Sequence, residues 1–316
     1  MVVGALPKRG MGRGVVSTAS YEARKFGIHS GQPISIAYRK CPKAVFLPVN
    51  FLLYEKVSQN IMSLLKFYGD KLEIAGLDEA YLDLSLKVKS CAEAKFLALK
   101  IKSDILKKER LTCSIGIGPN KLIAKIASGF QKPNGLTMIK PEKVEAFLSP
   151  LPVEEIPGVG PKSQSFLNQL GIRTIQDLRK LSKRALKDYF GKWGDRLYDL
   201  ARGIDESEIT EIWEIKSVGR EYTFQKDTRD KELIFKTLRE LIEETVESLK
   251  AEKLSGKTIT VKVRYQDFET HTCQKTFDEA TASPAFIEEM SKNLLLPFLA
   301  DKRAVRLIGV RISNFT

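Results

Sequence analysis

Two adjacent carboxylates, Asp78 and Glu79, constrain the backbone most strongly in this sequence. They stand between two apolar, strand-forming segments, KLEIAGL before them and AYLDLS after them. Neighbouring residues on a regular strand point to opposite faces of a sheet, so the two side chains can serve one site only where the backbone bends. The pattern therefore predicts a β-hairpin whose loop carries both carboxylates.

A carboxylate pair at such a bend suits a hard, oxygen-preferring cation such as Mg²⁺. A solvated acidic turn has the same local sequence. The pair taken alone leaves both interpretations open.

The length and charge of the chain limit the classes of protein it can be. A chain of 316 residues is too long for one ordinary core and predicts two to four compact units. Its formal net charge of +13 indicates a polyanionic partner, either nucleic acid or an anionic membrane. No apolar run approaches the roughly 20 residues that span a bilayer, and the first residues do not read as a signal peptide. We therefore expect a cytoplasmic protein that binds nucleic acid, with no membrane partner.

Cysteine and histidine usage excludes several kinds of site. The four cysteines are widely scattered and form no CxxC pair, which argues against a zinc site and a disulfide framework. The only histidines are His29 and His271, so catalysis by histidine is not expected.

Residues 1–50 predict a short strand and two small helices. Ser17 or Thr18 can cap a first helix that stops at Gly27, and a second helix is expected to begin near Pro33.

The remaining residues fall into four segments with different predicted secondary structure. Residues 51–140 alternate helices with strands, which predicts one sheet backed by helices. Residues 141–203 contain only short helices broken by Pro and Gly, and 204–216 form an acidic linker. Residues 217–316 have the order βαββαβ, which predicts a small open sheet with two helices on one face.

The segment IPGVGPK predicts a helix-hairpin-helix. Gly158, Val159 and Gly160 make a tight turn whose backbone N–H groups can approach an anion, and Lys162 lies in the helix that follows. Such a turn grips a phosphodiester backbone without reading bases. A purely structural turn is the alternative.

Three lysines near the middle of the chain are candidates for a functional role. Lys121 and Lys125 lie four residues apart on a predicted helix, and Lys132 follows in the loop QKPNG. A lysine pair on a helix is also typical of a solvated face.

Tyr21 and Arg24 share one face of the first helix, near the Thr18 hydroxyl. A tyrosine, an arginine and a hydroxyl can together hold a triphosphate, although an exposed amphipathic helix explains them equally well.

Basic residues recur in the C-terminal strands. Lys262 and Arg264 lie on one side of a strand, and Arg306 and Arg311 flank the last strand. They fit a nucleic-acid backbone, and a merely soluble sheet would show them too.

Several segments together resemble the Y-family of translesion DNA polymerases, of the DinB or DNA polymerase IV type. The segments occur in family order and at family spacing and cover nearly all of the chain; they are STASYEARKFGI, GLDEAYLDLS, CSIGIGPNKLIAKIAS with QKPNGL, IPGVGPK and VRLIGVRISNF.

The resemblance implies an α+β, multidomain, hand-shaped fold. Fingers with a remnant of the N-terminal palm would occupy 1–50, an α/β palm 51–140 and a helical thumb 141–203. After the linker at 204–216, a little finger would occupy 217–316.

The resemblance also implies roles for individual residues. Asp78 and Glu79 would be the catalytic, metal-binding carboxylates of the palm, and the thumb turn Gly158–Lys162 would hold the primer–template backbone. The phosphates of the incoming deoxynucleotide would be contacted by Thr18, Tyr21, Arg24 and Lys132.

The implied reaction is error-prone, template-directed DNA synthesis with two Mg²⁺ ions about 3.5–4 Å apart. Primer–template DNA and deoxynucleoside triphosphates are the implied partners of a monomeric protein, and a sliding clamp is a further candidate partner.

One departure from the family pattern bears on activity. In the family the first palm strand carries a further metal-ligating Asp, followed by a bulky steric-gate residue. This sequence matches the family pattern only from a point after both of these residues. No acidic residue precedes Glu22 that could replace the Asp. Met1 matches an apolar strand position, which favours a shortened reading of a longer gene. We therefore expect weak or no primer extension, and exposed strand edges in the palm.

Two other functions remain as alternatives. One is a non-catalytic, DNA-binding remnant of a polymerase. The other is a helix-hairpin-helix nuclease or glycosylase, which would explain IPGVG but not the paired carboxylates.

Overall fold

The computed structural model describes residues 1–212 and 214–316, and the chain divides into two compact units. One unit is Asn50–Ile212, and the other combines Met1–Val49 with the residues that follow Ile212. The segments expected to form palm and thumb thus lie in one unit, and those expected to form fingers and little finger lie in the other. The expected linker, 204–216, includes Trp213, which lies outside the described residues.

The N-terminal segment forms a three-stranded sheet with two short helices. β1 (Val2–Gly4) lies in the middle, antiparallel to β2 (Val16–Ala19) and parallel to β3 (Phe46–Leu47). The helices are α1 (Tyr21–Arg24) and α2 (Ile34–Lys40). Only one strand was expected here, because β1 and β3 are too short to show a periodic pattern.

The N-cap of α1 is Ser20, so the expectation of Ser17 or Thr18 was wrong. Ser20 Oγ accepts a hydrogen bond from Ala23 N at 3.3 Å, whereas Ser17 and Thr18 lie in β2. A cap stands directly before the first helical residue, and here the strand continues almost to that point. The helix also ends before Gly27.

Asn50–Ile212 begins with alternating helices and strands. In chain order these are α3 (Phe51–Leu65), β4 (Lys71–Ile74), β5 (Ala80–Asp83), α4 (Cys91–Glu109), β6 (Ile115–Ile117), α5 (Lys121–Phe130) and β7 (Leu136–Met138). β4 and β5 form an antiparallel hairpin, and β6 and β7 form a parallel pair joined by α5. The expected single sheet was wrong, since within the described residues the two pairs share no hydrogen-bonded ladder. Periodicity identifies strands but not their partners.

The remainder of this unit is helical, as expected. Its helices are α6 (Val144–Leu148), α7 (Pro161–Gln169), α8 (Ile175–Arg179), α9 (Lys183–Phe190) and α10 (Lys192–Ala201), with 3₁₀ turns at Pro141–Lys143 and Val153–Glu155. Buried leucines such as Leu167 and Leu186 form their core, and Leu122, Ile123 and Ile126 of α5 belong to it as well. α5 therefore connects the β6–β7 pair to the helical part.

The N-terminus of α5 is tied to the end of the helical part by two side chains. Asn120 Oδ1 accepts from Ile123 N at 3.0 Å, and Asn120 Nδ2 donates to Gly203 O at 2.8 Å. The Asp205 carboxylate accepts from Leu122 N at 2.9 Å. These contacts satisfy backbone N–H groups that a helix start leaves without partners, and they fix the direction of α5.

The C-terminal segment has the βαββαβ order expected from the sequence. Its elements are β8 (Ser217–Thr228), α11 (Lys231–Ala251), β9 (Gly256–Tyr265), β10 (Thr270–Thr281), α12 (Pro284–Leu295) and β11 (Val305–Phe315). The strands form an antiparallel sheet in the order β10-β9-β11-β8. Leu238 of α11 and Ile287 of α12 are buried in one core with Ile308 of β11. In the same unit, Arg13 donates to Asp227 Oδ1 at 2.6 Å, which links this segment to the N-terminal one.

None of the helices in residues 1–212 and 214–316 is long and apolar enough to cross a membrane. Cys41, Cys91, Cys113 and Cys273 are free thiols.

We expect Asp205→Asn to destabilise the protein at neutral pH. Besides Leu122 N, the carboxylate accepts from Arg196 Nη2 at 2.5 Å and from Ser207 N at 3.1 Å. Burial alone would raise the pKa of Asp205, but the hydrogen bonds from Ser207 and Arg196 outweigh it and hold the pKa below its ordinary value. Loss of the charge should lower the free energy of unfolding by about 1–3 kcal/mol.

The loss of stability caused by Asp205→Asn should be larger at neutral pH than at acidic pH. Because the folded-state pKa is lowered, the stabilisation is present above the unfolded-state pKa of about 4 and is lost as the pH falls through the folded-state pKa. Urea unfolding should therefore show a larger difference at pH 7 than at pH 3. Asp188→Asn, at an exposed position, serves as the control and should change stability by less than about 0.5 kcal/mol. Equal effects of the two substitutions at pH 7 would contradict the assignment.

Candidate active site

The predicted bend at Asp78 and Glu79 is present. Both residues lie in the loop between β4 and β5, and both are exposed. The loop closes through its backbone, where Ala75 N and Gly76 N donate to Glu79 O at 3.0 and 3.1 Å. The hairpin therefore presents two carboxylates on one short, exposed turn.

Both lysines of α5 are ion-paired with glutamates of this hairpin. Lys121 Nζ lies 2.5 and 2.7 Å from the carboxylate oxygens of Glu73, and Lys125 Nζ donates to Glu79 Oε1. The sequence alone did not distinguish whether these lysines lie on a solvated helix face or have a functional role. Glu73 was not predicted, because no local pattern links residues 48 positions apart.

The two ion pairs differ in burial. The side chains of Glu73 and Lys121 are 4% and 16% exposed, whereas those of Glu79 and Lys125 are 44% and 36% exposed. Removing one partner of a buried pair costs about 3–5 kcal/mol, while an exposed pair contributes only about 0.2–1 kcal/mol. The first pair is therefore structural and the second is weak.

Further contacts hold the buried pair in place. Glu73 Oε2 accepts from Thr210 N at 2.8 Å, and the Lys121 ammonium lies 5.1 Å from the ring centroid of Tyr81. Burial raises the pKa of Tyr81, and the nearby carboxylates of Glu79 and Glu73 raise it further. The Tyr81 phenol is therefore kept neutral beside the carboxylates.

Lys132 lies in an exposed loop that Lys102 holds in place. The Lys102 ammonium donates to Asn134 Oδ1 at 2.6 Å, to Asn134 O at 3.0 Å, to Gly135 O at 3.2 Å and to Cys113 O. Asn134 adopts a left-handed conformation with φ of +58°. Lys102 was not predicted, because in the sequence it is one of several lysines on an amphipathic helix.

Thr18, Tyr21 and Arg24 lie in the other unit. Thr18 pairs with Val3 in the small sheet and is exposed. Arg24 lies 5.7 Å from the ring centroid of Tyr21, and its Nε donates to Ala19 O at 3.0 Å. Tyr21 and Arg24 are therefore neighbours, as the helix spacing predicted.

The glycine turn at 158–160 requires a glycine at its first position. Gly158 has φ of +97°, and a Cβ there would lie 2.6 Å from a ring carbon of Trp193. Gly160 is the N-cap of α7 and has ordinary φ of −86°. Val159 is buried in the helical core, and Lys162 is exposed in the first turn of α7.

One face of the C-terminal sheet packs against α11 and α12, and the opposite face carries Lys262, Arg264 and Arg311. Residues two apart on a strand share a face, and Arg311 is in register with Thr260, which places all three on one side. Lys262 Nζ is paired with Glu221 at 2.7 Å.

Arg306 makes other contacts. Its guanidinium lies 4.4 Å from the ring centroid of Phe268, and Nη1 lies 3.9 Å from Asp227 Oδ1.

The donor set at the hairpin loop fits a hard divalent cation. Among residues 1–212 and 214–316, no group of three or more His, Cys, Asp or Glu side chains comes together as a metal site. Mg²⁺, however, is usually held by one or two carboxylates together with water and substrate phosphates. Asp78 and Glu79 meet that requirement, and the Lys125 ammonium already occupies a cation position at Glu79.

Comparison with known families gives matches along most of the chain. The impB/mucB/samB family model matches residues 1–129, and the model of its C-terminal domain matches 215–316. A model described as the thumb domain of DNA polymerase iota matches 154–205.

Curated relatives match almost the whole chain. DNA polymerase IV of Methanoculleus marisnigri is 47% identical over 99% of this chain and 86% of its own length. DNA polymerase IV of Streptococcus agalactiae is 40% identical, with 99% and 86% covered. This chain belongs to the Y-family of DNA polymerases.

Solved structures of Y-family members share the fold. A Dbh–Dpo4 chimera superposes with a TM-score of 0.90 at 35% identity, covering 99% of this chain and 91% of the chimera. An insertion ternary complex of Dbh DNA polymerase gives a TM-score of 0.66 at 36% identity, with the same coverage. The resemblance and the α+β polymerase fold inferred from the sequence are confirmed. Synthesis by enzymes of this family is metal-dependent.

The glycine turn at 158–160 offers a matched pair of substitutions. We expect Gly158→Ala to lower the free energy of unfolding by about 2 kcal/mol, because alanine is strained at this φ and its Cβ would collide with Trp193. Gly160→Ala should change it by less than about 0.5 kcal/mol, since no atom lies within 4 Å of a Cβ there. Urea unfolding measures both. A Gly160 substitution as harmful as that at Gly158 would show that this account of the turn is wrong.

Proposed function

We propose that this protein is an error-prone, template-directed DNA polymerase of translesion synthesis that adds deoxynucleotides to a primer 3′ end. The observation that carries the proposal is the exposed hairpin loop with Asp78 and Glu79, set against the lysines of α5, in a Y-family chain. The relatives are named as polymerases, and a non-catalytic DNA-binding remnant finds no support among them.

Asp78 and Glu79 would hold Mg²⁺. When bound, two such ions supply positive charge that activates the primer 3′-oxygen and neutralises the triphosphate. The two carboxylates contribute hard oxygen ligands at an exposed position that phosphates can reach.

Lys132 in one unit, and Thr18, Tyr21 and Arg24 in the other, would each contact phosphate oxygens of a nucleotide. All four residues are exposed, so a phosphate can reach each of them. The anchoring of the Lys132 loop by Lys102 supports a defined position for its ammonium. Arg24 offers a planar set of donors that matches phosphate oxygens.

The primer–template backbone would be held at two places. The first is the thumb turn, where Gly158, Gly160 and Lys162 combine a close backbone approach with a positive helix end. The second is the helix-free sheet face with Lys262, Arg264 and Arg311. Arg306 would also contact the DNA backbone. Contacts of this kind are independent of base sequence, which suits an enzyme that must copy any template.

We further infer that the hand is divided as the sequence suggested. Fingers would occupy 1–50, palm 51–140, thumb 141–203, linker 204–216 and little finger 217–316. The protein would act in the cytoplasm as a monomer, with primer–template DNA and deoxynucleoside triphosphates as partners and a sliding clamp as a further candidate.

Asp78→Asn should separate catalysis from DNA binding. We expect at least about 100-fold slower primer extension than the unsubstituted chain, because the loop loses one of its two anionic ligands. The dissociation constant for primer–template DNA should change by less than about twofold, since the phosphate-binding groups are untouched.

A second measurement does not depend on the rate of primer extension, so it applies even where the unsubstituted chain extends primers slowly. The correct deoxynucleotide with Mg²⁺ should tighten primer–template binding by the unsubstituted chain, and Asp78→Asn should abolish that tightening. Asp188→Asn, at an exposed thumb position, is the matched control and should behave as the unsubstituted chain. Unchanged extension and unchanged tightening in Asp78→Asn would refute the metal role.

A further inference from the structure

We propose that Lys125 is the resident counter-cation of Glu79, which a divalent metal ion must displace, so that Lys125 sets the metal affinity of the hairpin loop. The inference rests on the proposed function, because it takes Glu79 as a metal ligand. It assigns a positioning role to a residue that sequence analysis left open.

The first support is the geometry of the two pairs. A single helix, α5, places Lys121 and Lys125 four residues apart, and the hairpin presents Glu73 and Glu79 to them. The two pairs are the same in chemistry. They differ in surroundings, since only Glu73 has a further backbone donor, Thr210 N.

The second support is the contrast in burial. If the Lys121 ammonium left the buried Glu73, the carboxylate would keep an uncompensated charge that water cannot reach. Another cation therefore does not replace Lys121 in this pair. Water reaches both partners of the Glu79 pair, and Lys carries its charge on a flexible stem. Only the second pair can therefore open at little cost when another cation arrives.

The third support is the difference between the two loop carboxylates. Among the described residues, Asp78 forms no side-chain hydrogen bond or ion pair, whereas Glu79 is held by Lys125. A metal ion can approach Asp78 directly but has to compete for Glu79. The lysine would also keep the two adjacent carboxylates from repelling each other when no metal is bound.

The test is direct binding of Mn²⁺, followed by the electron paramagnetic resonance signal of the free ion. Lys125→Met keeps the length of the side chain and removes its charge, so Mn²⁺ should bind about three- to fivefold more tightly, as expected for loss of an exposed ion pair. Lys125→Arg keeps the pair and should stay within about twofold of the unsubstituted chain.

Two controls make the result specific. Lys107→Met removes one positive charge from an exposed position on α4 and should leave Mn²⁺ affinity within about twofold. Lys125→Gln is a second neutral variant and should reproduce the tightening if Lys125→Met folds poorly by circular dichroism. Unchanged or weaker Mn²⁺ binding in folded Lys125→Met or Lys125→Gln would overturn the inference.

Glu79→Gln distinguishes this inference from the proposed function. If Glu79→Gln leaves Mn²⁺ binding unchanged, the metal site itself is wrong. If Glu79→Gln weakens Mn²⁺ binding at least about tenfold while neutralising Lys125 has no effect, only the role of Lys125 is wrong. In primer extension, neutralising Lys125 should move the Mg²⁺ midpoint to a lower concentration by the same three- to fivefold factor.

Discussion

The buried ion pair between Glu73 and Lys121 joins three separate stretches of Asn50–Ile212. Glu73 comes from β4, Lys121 begins α5, and Thr210 N donates to the same carboxylate from the far end of the unit. Because both charges are largely removed from water, loss of either partner would leave the other uncompensated at a cost of about 3–5 kcal/mol. This pair keeps the hairpin against α5, and the position of the Asp78–Glu79 loop depends on it.

The same helix connects the loop with the short helices of this unit. One face of α5 belongs to the helical core through Leu122, Ile123 and Ile126, while its lysines face the hairpin. Its N-terminus is held by Asn120 and Asp205. The carboxylates proposed to bind metal and the helices proposed to grip DNA therefore share one rigid element, and a disturbance at either end of α5 should be felt at the other.

Much of the fold followed from local patterns. The bend at Asp78–Glu79 and the glycine turn at 158–160 each arise within a few neighbouring residues. Each helix and strand of the C-terminal βαββαβ order is likewise indicated by the pattern of its own residues. The features that sequence analysis missed involve distant partners. Glu73 meets Lys121 across 48 positions, and Lys102 meets Asn134 across 32. The division into two small strand pairs was missed for the same reason, since periodicity does not name a strand's partner.

The sequence by itself determined the family, the order of the elements and the residue types at the site, because turn chemistry, periodicity and motif spacing are local properties. Only the tertiary structure decided what the two lysines of α5 do. Lys121 and Lys125 have the same chemistry and each meets a glutamate of the same hairpin, yet one pair is buried and the other is open to water. The strength of an ion pair depends on how far its charges are removed from water, and that depends on which segments pack over them, here the stretch that contains Thr210.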